Sequence, residues 1–202
     1  MIEALNNSLT ELAFNENFSV DLEGLEIGDP ASNAQTSSLP NGLQSLATFY
    51  GIFNGLNFEW ELKSETSIHG SIKIQSIDLL NHGEWEDMVG EDHDGKEVNQ
   101  ADFRVFDFYS NQNYVGCFTS NYEQKGLFYV RENTVYPIGL TAEGYLQLLN
   151  HTLGFMHWPA LLVKLNLGLT LNELQAVEEN IAKVIPNFSH EKFETAFKSL
   201  SL

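Results

Sequence analysis

Apolar residues in this chain change period twice. In residues 2–14, Ile2, Leu5, Leu9, Leu12 and Ala13 fall at helical spacing. From Asn57 they alternate instead: Phe58, Trp60 and Leu62 against Glu59 and Glu61, then Ile72 and Ile74. From Thr141 the spacing is helical again. A period of two sends neighbouring side chains to opposite faces of a strand, whereas a period near 3.6 gathers them on one side of a helix. Helices, then a run of strands, then helices predict an α+β fold. Its core is an antiparallel or mixed central sheet of about five to six strands with helices packed against it. N-terminal helices precede the sheet and a C-terminal helical extension follows it.

Turn residues set the expected boundaries. The polar stretch "GDPASNAQTSS", residues 28–38, reads as a loop or short linker. A helix follows Ser38 and Pro40, with Leu43, Leu46, Ala47, Tyr50 and Phe53 on its apolar side, and Asn54-Gly55 ends it. The strand-like runs include Ile77 after a slip in register, then "FRVFDFYS", "YVGCFTS", "GLFYVREN" and "TVYPIGL". Ser110-Asn111 and Glu132-Asn133 separate them, as in a meander. Thr141 caps the next helix, whose apolar face is Tyr145, Leu146, Leu149 and Leu153. Another helix starts near Pro159. A third takes Thr170 as its cap, with Leu171, Leu174, Val177, Ile181 and Val184 on one face. The last is capped by Ser189 and turns Phe193 and Phe197 inward. Residues 1–160 are expected to form the main domain, with 161–202 packed on it as an extension.

Charge narrows the function. The chain has 28 acidic and 10 basic residues, a formal net charge of −18. Phosphate backbones and anionic bilayers repel such a chain, which argues against nucleic acid and membrane as partners. A basic protein partner would be steered onto it. A single cysteine, Cys117, excludes a disulfide within the chain and favours a reducing compartment. Its place in "YVGCFTS" reads as a buried strand position, with no basic neighbour to activate a thiolate. The N-terminus lacks the basic and apolar segments of a signal peptide. The most apolar run, "FMHWPALLVKLNLGL", is interrupted by Pro159 and Lys164 and is too short to span a bilayer. A cytoplasmic location is expected.

"NHGEWEDMVGEDHDGKE", residues 81–97, concentrates the acids. A calcium-loop register with Gly95 at the sixth position puts Asp94 fifth and Asp92 third. It then puts Gly90 first and Ala101 twelfth, neither with a carboxylate, and strands flank the stretch where helices should. "DHDG" therefore reads as a turn with glycine at positive φ. His82 and His93 lack ligand spacing, as do His151 and His157, so no metal and no cofactor are expected. Glu84 and Glu86 flank Trp85, a possible sugar platform for a glycosidase, but a catalytic acid needs burial that nothing here suggests. Nucleophile-elbow, phosphate-loop and dinucleotide motifs are absent. An aromatic among acids is also the composition of an interaction loop. The candidate partner-binding residues are Glu84, Trp85, Glu86, Asp87, Glu91, Asp92 and Asp94. The alternative is a loop that covers a sheet edge while its acids stay in solvent.

"LPNGLQSLATFYGIFNGLNFEWEL", residues 39–62, resembles the opening of the SUKH superfamily, which includes bacterial immunity proteins and yeast regulators of cell-wall assembly. In that group a Leu-Pro-initiated helix ends in an Asn-Gly turn that leads into a Trp-bearing strand. Here the matching positions are Leu39, Pro40, Tyr50, Asn54, Gly55, Trp60, Gly126 and Tyr145. The resemblance covers roughly residues 36–160; the stretch 81–100 and the helices after Pro159 depart from it. It implies a non-enzymatic binding fold and, in bacteria, an immunity factor that occludes a cognate basic toxin, for instance a nuclease. A regulatory or scaffold protein of the same fold is the alternative, and a carbohydrate hydrolase using Glu84 or Glu86 is a second.

Overall fold

The computed structural model describes residues 2–83, 88–110, 112–120 and 126–202. Helix α1 (Ile2–Ala13) leads into two short strands, β1 (Phe18–Val20) and β2 (Glu26–Ile27), and a one-turn helix α2 (Asn33–Thr36). A 3-10 segment, Asn41–Leu46, continues into α3 (Ala47–Tyr50). Long strands β3 (Leu56–Leu62) and β4 (Glu65–Ile74) follow, then α4 (Ile77–His82) and β5 (Glu91–Asp92). The meander is β6 (Phe103–Ser110), β7 (Asn113–Phe118), β8 (Phe128–Arg131) and β9 (Thr134–Pro137). Helices α5 (Ala142–Thr152), α6 (Pro159–Leu167), α7 (Leu174–Val184) and α8 (His190–Leu200) close the chain.

The strands form one mixed sheet in the order β1-β3-β4-β6-β7-β8-β9-β5, with β2 also paired to β3. Every pairing is antiparallel except β5 with β9. The fold is α+β, as the order of periodicities implies. The sheet is wider than expected because β1, β2 and β5 are only two or three residues long. Strands that short carry no readable alternation.

Local chemistry explains where the element boundaries differ. Ile77 opens α4 instead of extending a strand, because the Ser76 side chain accepts from the Leu79 amide as an N-cap. Within 28–38, Ser32 and Gln35 form a reciprocal capping box that starts α2. Thr170 does not cap α7: the chain first makes a turn from Leu171 to Leu174, and Glu173 holds the cap position. The helix after Pro40 ends at Tyr50 with Gly51 as cap, and Gly55, at φ 105°, turns the chain into β3. Ala47 is exposed and Phe49 takes its expected place in the core.

The sheet has two differently covered faces. One carries Phe58, Trp60, Ile72, Ile74 and Phe106 and lies under the helices, which contribute Leu5, Leu9, Tyr145, Leu149, Val177 and Phe193 to the same core. On the other face, Phe103, Val105, Tyr114, Phe128, Val130 and Val135 form a second cluster. That cluster is closed by Val89 and Val98, both buried. The segment 88–98 is thus a structural cover over β6–β9, held by two apolar side chains.

Strands β4 and β6 meet at only one register pair, Ile74 with Asp107. Toward the start of β4 no residue of β6 pairs with it, and the β4 edge finds other partners. The Lys73 amide donates to Asp107 Oδ1 at 2.9 Å, the Ser71 amide to the Gly154 carbonyl at 2.9 Å, and the Met156 amide donates to the His69 carbonyl at 3.0 Å. A carboxylate and residues 154–156 therefore complete a ladder that a strand leaves unfinished, as a buried backbone requires. Gly154 sits at φ 70°, and an added Cβ would meet the Ser71 carbonyl oxygen at 2.5 Å. Gly154→Ala is expected to lower stability by about 2 kcal/mol, from left-handed strain and crowding together. Urea denaturation checks it; an unchanged midpoint would contradict this placement of the segment.

Candidate functional site

Glu84, Trp85, Glu86 and Asp87 lie outside the described residues. The remaining candidates form one tight turn. Glu91 and Asp92 pair in parallel with Thr134 and Val135. Asp92 Oδ1 accepts from the amides of Asp94 and Lys96, each at 2.9 Å, and Gly95 supplies φ 78°. Burial opposes charge on Asp92, but those two amides together with the charges of Lys96 and His93 outweigh it and hold its carboxyl below the ordinary range. Donor atoms of Asp92, His93 and Asp94 lie within 4.8 Å of one another. The Asx turn by itself accounts for that proximity. Glu91 and Asp94 are exposed, and Asp92 is half-buried.

A larger acidic surface lies elsewhere. On β3, Asn57, Glu59 and Glu61 point away from the helix-covered core, while Phe58 and Trp60 point into it. Their cross-strand partners on β4 are Lys73, Ser71 and His69. This is the face that 88–98 covers farther along the sheet, but over β1, β3 and β4 it forms an open trough of about 820 Å³. Asp21, Glu23, Glu59 and Glu61 are its acids, and Tyr109 reaches it from β6. The Asp21 side chain shapes the rim by accepting from the Glu23 and Gly24 amides at 3.1 and 2.9 Å. Lys73 pairs with Glu59 at 2.5 Å, and both side chains are more than a third exposed or close to it. Such a pair adds little stability.

The sequence carries a signal for this surface that local reading passes over. Before Lys63 there is no Lys or Arg, while Glu3, Glu11, Glu16, Asp21, Glu23, Glu26, Asp29, Glu59 and Glu61 all precede it. The acids are spread thinly along the chain, and only the pairing of β1 and β3 brings Asp21, Glu23, Glu59 and Glu61 together.

Other titratable groups have structural roles. Asp107 is fully buried; burial raises its pKa to about 6, against the hydrogen bonds from Tyr145 and the Lys73 amide. It is sealed from any substrate. Burial pushes the Cys117 thiol up to about 12, opposite to what a nucleophile needs. His151 ends α5, whereas His157 stands at φ 57° in the following turn, so no single helix carries both. Burial lowers the pKa of each. Arg131 Nε meets Glu173 Oε2 at 2.8 Å, and Tyr129 Oη lies 3.2 Å from Glu173 Oε1, which ties β8 to the start of α7. Among the described residues no helix is long and apolar enough to cross a membrane.

No protein-family model, no curated protein and no solved structure matches this chain.

Proposed function

We propose that this protein is a non-enzymatic binding module that takes a basic protein partner on its acidic trough. The observation that carries this reading is the half of one sheet face that no described residue covers. Four carboxylates from β3 and the turn after β1 line it, and Lys73 pairs with only one of them, Glu59. Converging like charges around a concave surface focus the field and steer an oppositely charged protein. They also repel phosphate, which disfavours nucleic acid.

The finer form of the proposal is an immunity protein that occludes a cognate toxin, such as a basic nuclease. It draws on the resemblance of residues 39–62 to the SUKH superfamily. The exposed carboxylates Glu91 and Asp94 would extend the contact from the other end of the sheet. A scaffold without a toxin partner is the alternative.

The test is co-expression with the product of the adjacent gene. A complex that co-purifies at low salt and dissociates at high salt is expected. Substituting Glu59→Lys and Glu61→Lys together should slow association on the order of tenfold while leaving dissociation nearly unchanged. Recovery of no complex would remove the immunity reading.

A further inference from the structure

The open sheet face does not stop at the trough. On β3 and β4, Asn57 and Lys73 are the next same-face positions after Glu59 and Ser71. They line a second hollow of about 540 Å³, together with Glu26 of β2 and Gln75. Among the described residues that line the trough or this hollow, Lys73 is the one lysine or arginine. It belongs to the hollow by position, but its ammonium reaches across to Glu59 in the trough, at 2.5 Å.

That reach leaves an acceptor unmet. Asn57 stands directly opposite Lys73 on β3. Its Nδ2 donates to the Gly24 carbonyl at 2.7 Å, while its Oδ1 is buried and accepts from no described residue. Glu26 pairs with Asn57 from β2 and lines the same hollow. A buried acceptor without a donor costs free energy. Opposed residues of an antiparallel pair stand about 5 Å apart at Cβ, within the span of a lysine stem. The ammonium therefore has two places on this face, at Glu59 or at Asn57 beside Glu26, and it takes the first.

We propose that Lys73 is an autoinhibitory stand-in for the partner's cation: a lysine or arginine of the partner lands on Glu59, and the displaced Lys73 turns to Asn57 Oδ1. The inference rests on the trough being the partner surface, and it adds where the partner's cation lands and what it displaces. The exchange is a cheap one. The Lys73–Glu59 pair is part-exposed and adds little stability, and the new bond to Asn57 offsets its loss. Apparent affinity is then lowered by the fraction of molecules in which Lys73 holds Glu59.

The probe is a fluorescein-labelled peptide in which lysine alternates with serine, matching the two-residue period of Glu59 and Glu61. It is titrated against the full chain at low ionic strength. Lys73→Met is expected to bind it about fivefold more tightly than the parent. The Lys73 backbone amide still donates to Asp107, so this variant should keep its melting temperature. Lys198→Met makes the same change in charge and frees Glu194 on α8, in the helix layer, and should stay within about twofold of the parent. Glu59→Gln should weaken binding about threefold more in the Lys73→Met background than alone, because only there is Glu59 open from the start. Equal binding by the parent and Lys73→Met overturns the proposal. So does a gain matched by Lys198→Met, or additive effects at Glu59 and Lys73, since either would be a net-charge effect. A peptide that binds the parent and Glu59→Lys/Glu61→Lys alike overturns the trough reading as well. Binding lost in that double variant but indifferent to Lys73→Met overturns this inference alone.

Discussion

Asp107→Asn is expected to remove a pH-dependent loss of stability of about 3 kcal/mol between pH 3.5 and pH 7.5. The Asp107 carboxyl is fully buried, and burial raises its pKa from 3.8 to about 6. Between those two values the folded state therefore holds a proton that the unfolded state has already released. Stability from this group is complete below the unfolded pKa and falls as pH rises through the folded one. Asparagine keeps the acceptor for the Lys73 amide, turns an amide N–H toward Tyr145 Oη, and does not ionise. The remaining carboxylates titrate alike in both proteins and cancel in the difference. Urea denaturation of the two proteins at both pH values reads it directly. A difference that does not change with pH would mean that the charged carboxylate is fully compensated at the β4–β6 seam.

Trp60→Ala should cost about 4 kcal/mol, the range for truncating a buried aromatic. Trp60 is 2 % exposed and packs edge-on to Phe18, with ring centroids 5.4 Å apart, and against Phe155 at 6.2 Å. Its Nε1–H donates to the Leu153 carbonyl at 2.7 Å, across the end of α5 where Leu153 turns left-handed at φ 50°. Its indole also lies over Gly70, directly opposite on β4, where any side chain would collide with it. The tryptophan thus ties the β1–β3–β4 half of the sheet to the C-terminal helices. Trp60→Phe should recover most of the loss and leave about 1 kcal/mol for the missing hydrogen bond. Thermal melts of the three proteins give the comparison. A Trp60→Phe variant as unstable as Trp60→Ala would assign the cost to the hydrogen bond instead of the packing.

The parts of the fold that follow from period are legible in the sequence. Phe58 and Trp60 alternate with Glu59 and Glu61 because one sheet face is dry and the other wet, and β3 forms as that pattern requires. Thr141 and Ser189 cap α5 and α8 through side-chain oxygens, as their positions before apolar periodic runs suggest. What escapes local reading is whatever depends on long-range pairing. Asp107 sits in a run read as an ordinary strand, and its burial comes from a seam between strands more than thirty residues apart. The valines at 89 and 98 look incidental among acids, yet they anchor the cover of the second core. The densest acidic run, around Glu91, Asp92 and Asp94, is contiguous in sequence and visible in any local window. The trough instead assembles Asp21 and Glu23 with Glu59 and Glu61 through antiparallel pairing, which no local window displays.

The association rate with the adjacent gene's product, measured by stopped flow across ionic strengths, tests the binding role of the trough most directly. The expected result is a rate that falls steeply with salt for the parent. For Glu59→Lys/Glu61→Lys the low-salt rate should be about tenfold lower and its salt dependence flatter, with dissociation unchanged. Superimposable rates for the two proteins at every salt concentration would contradict the acidic trough as the partner-binding surface.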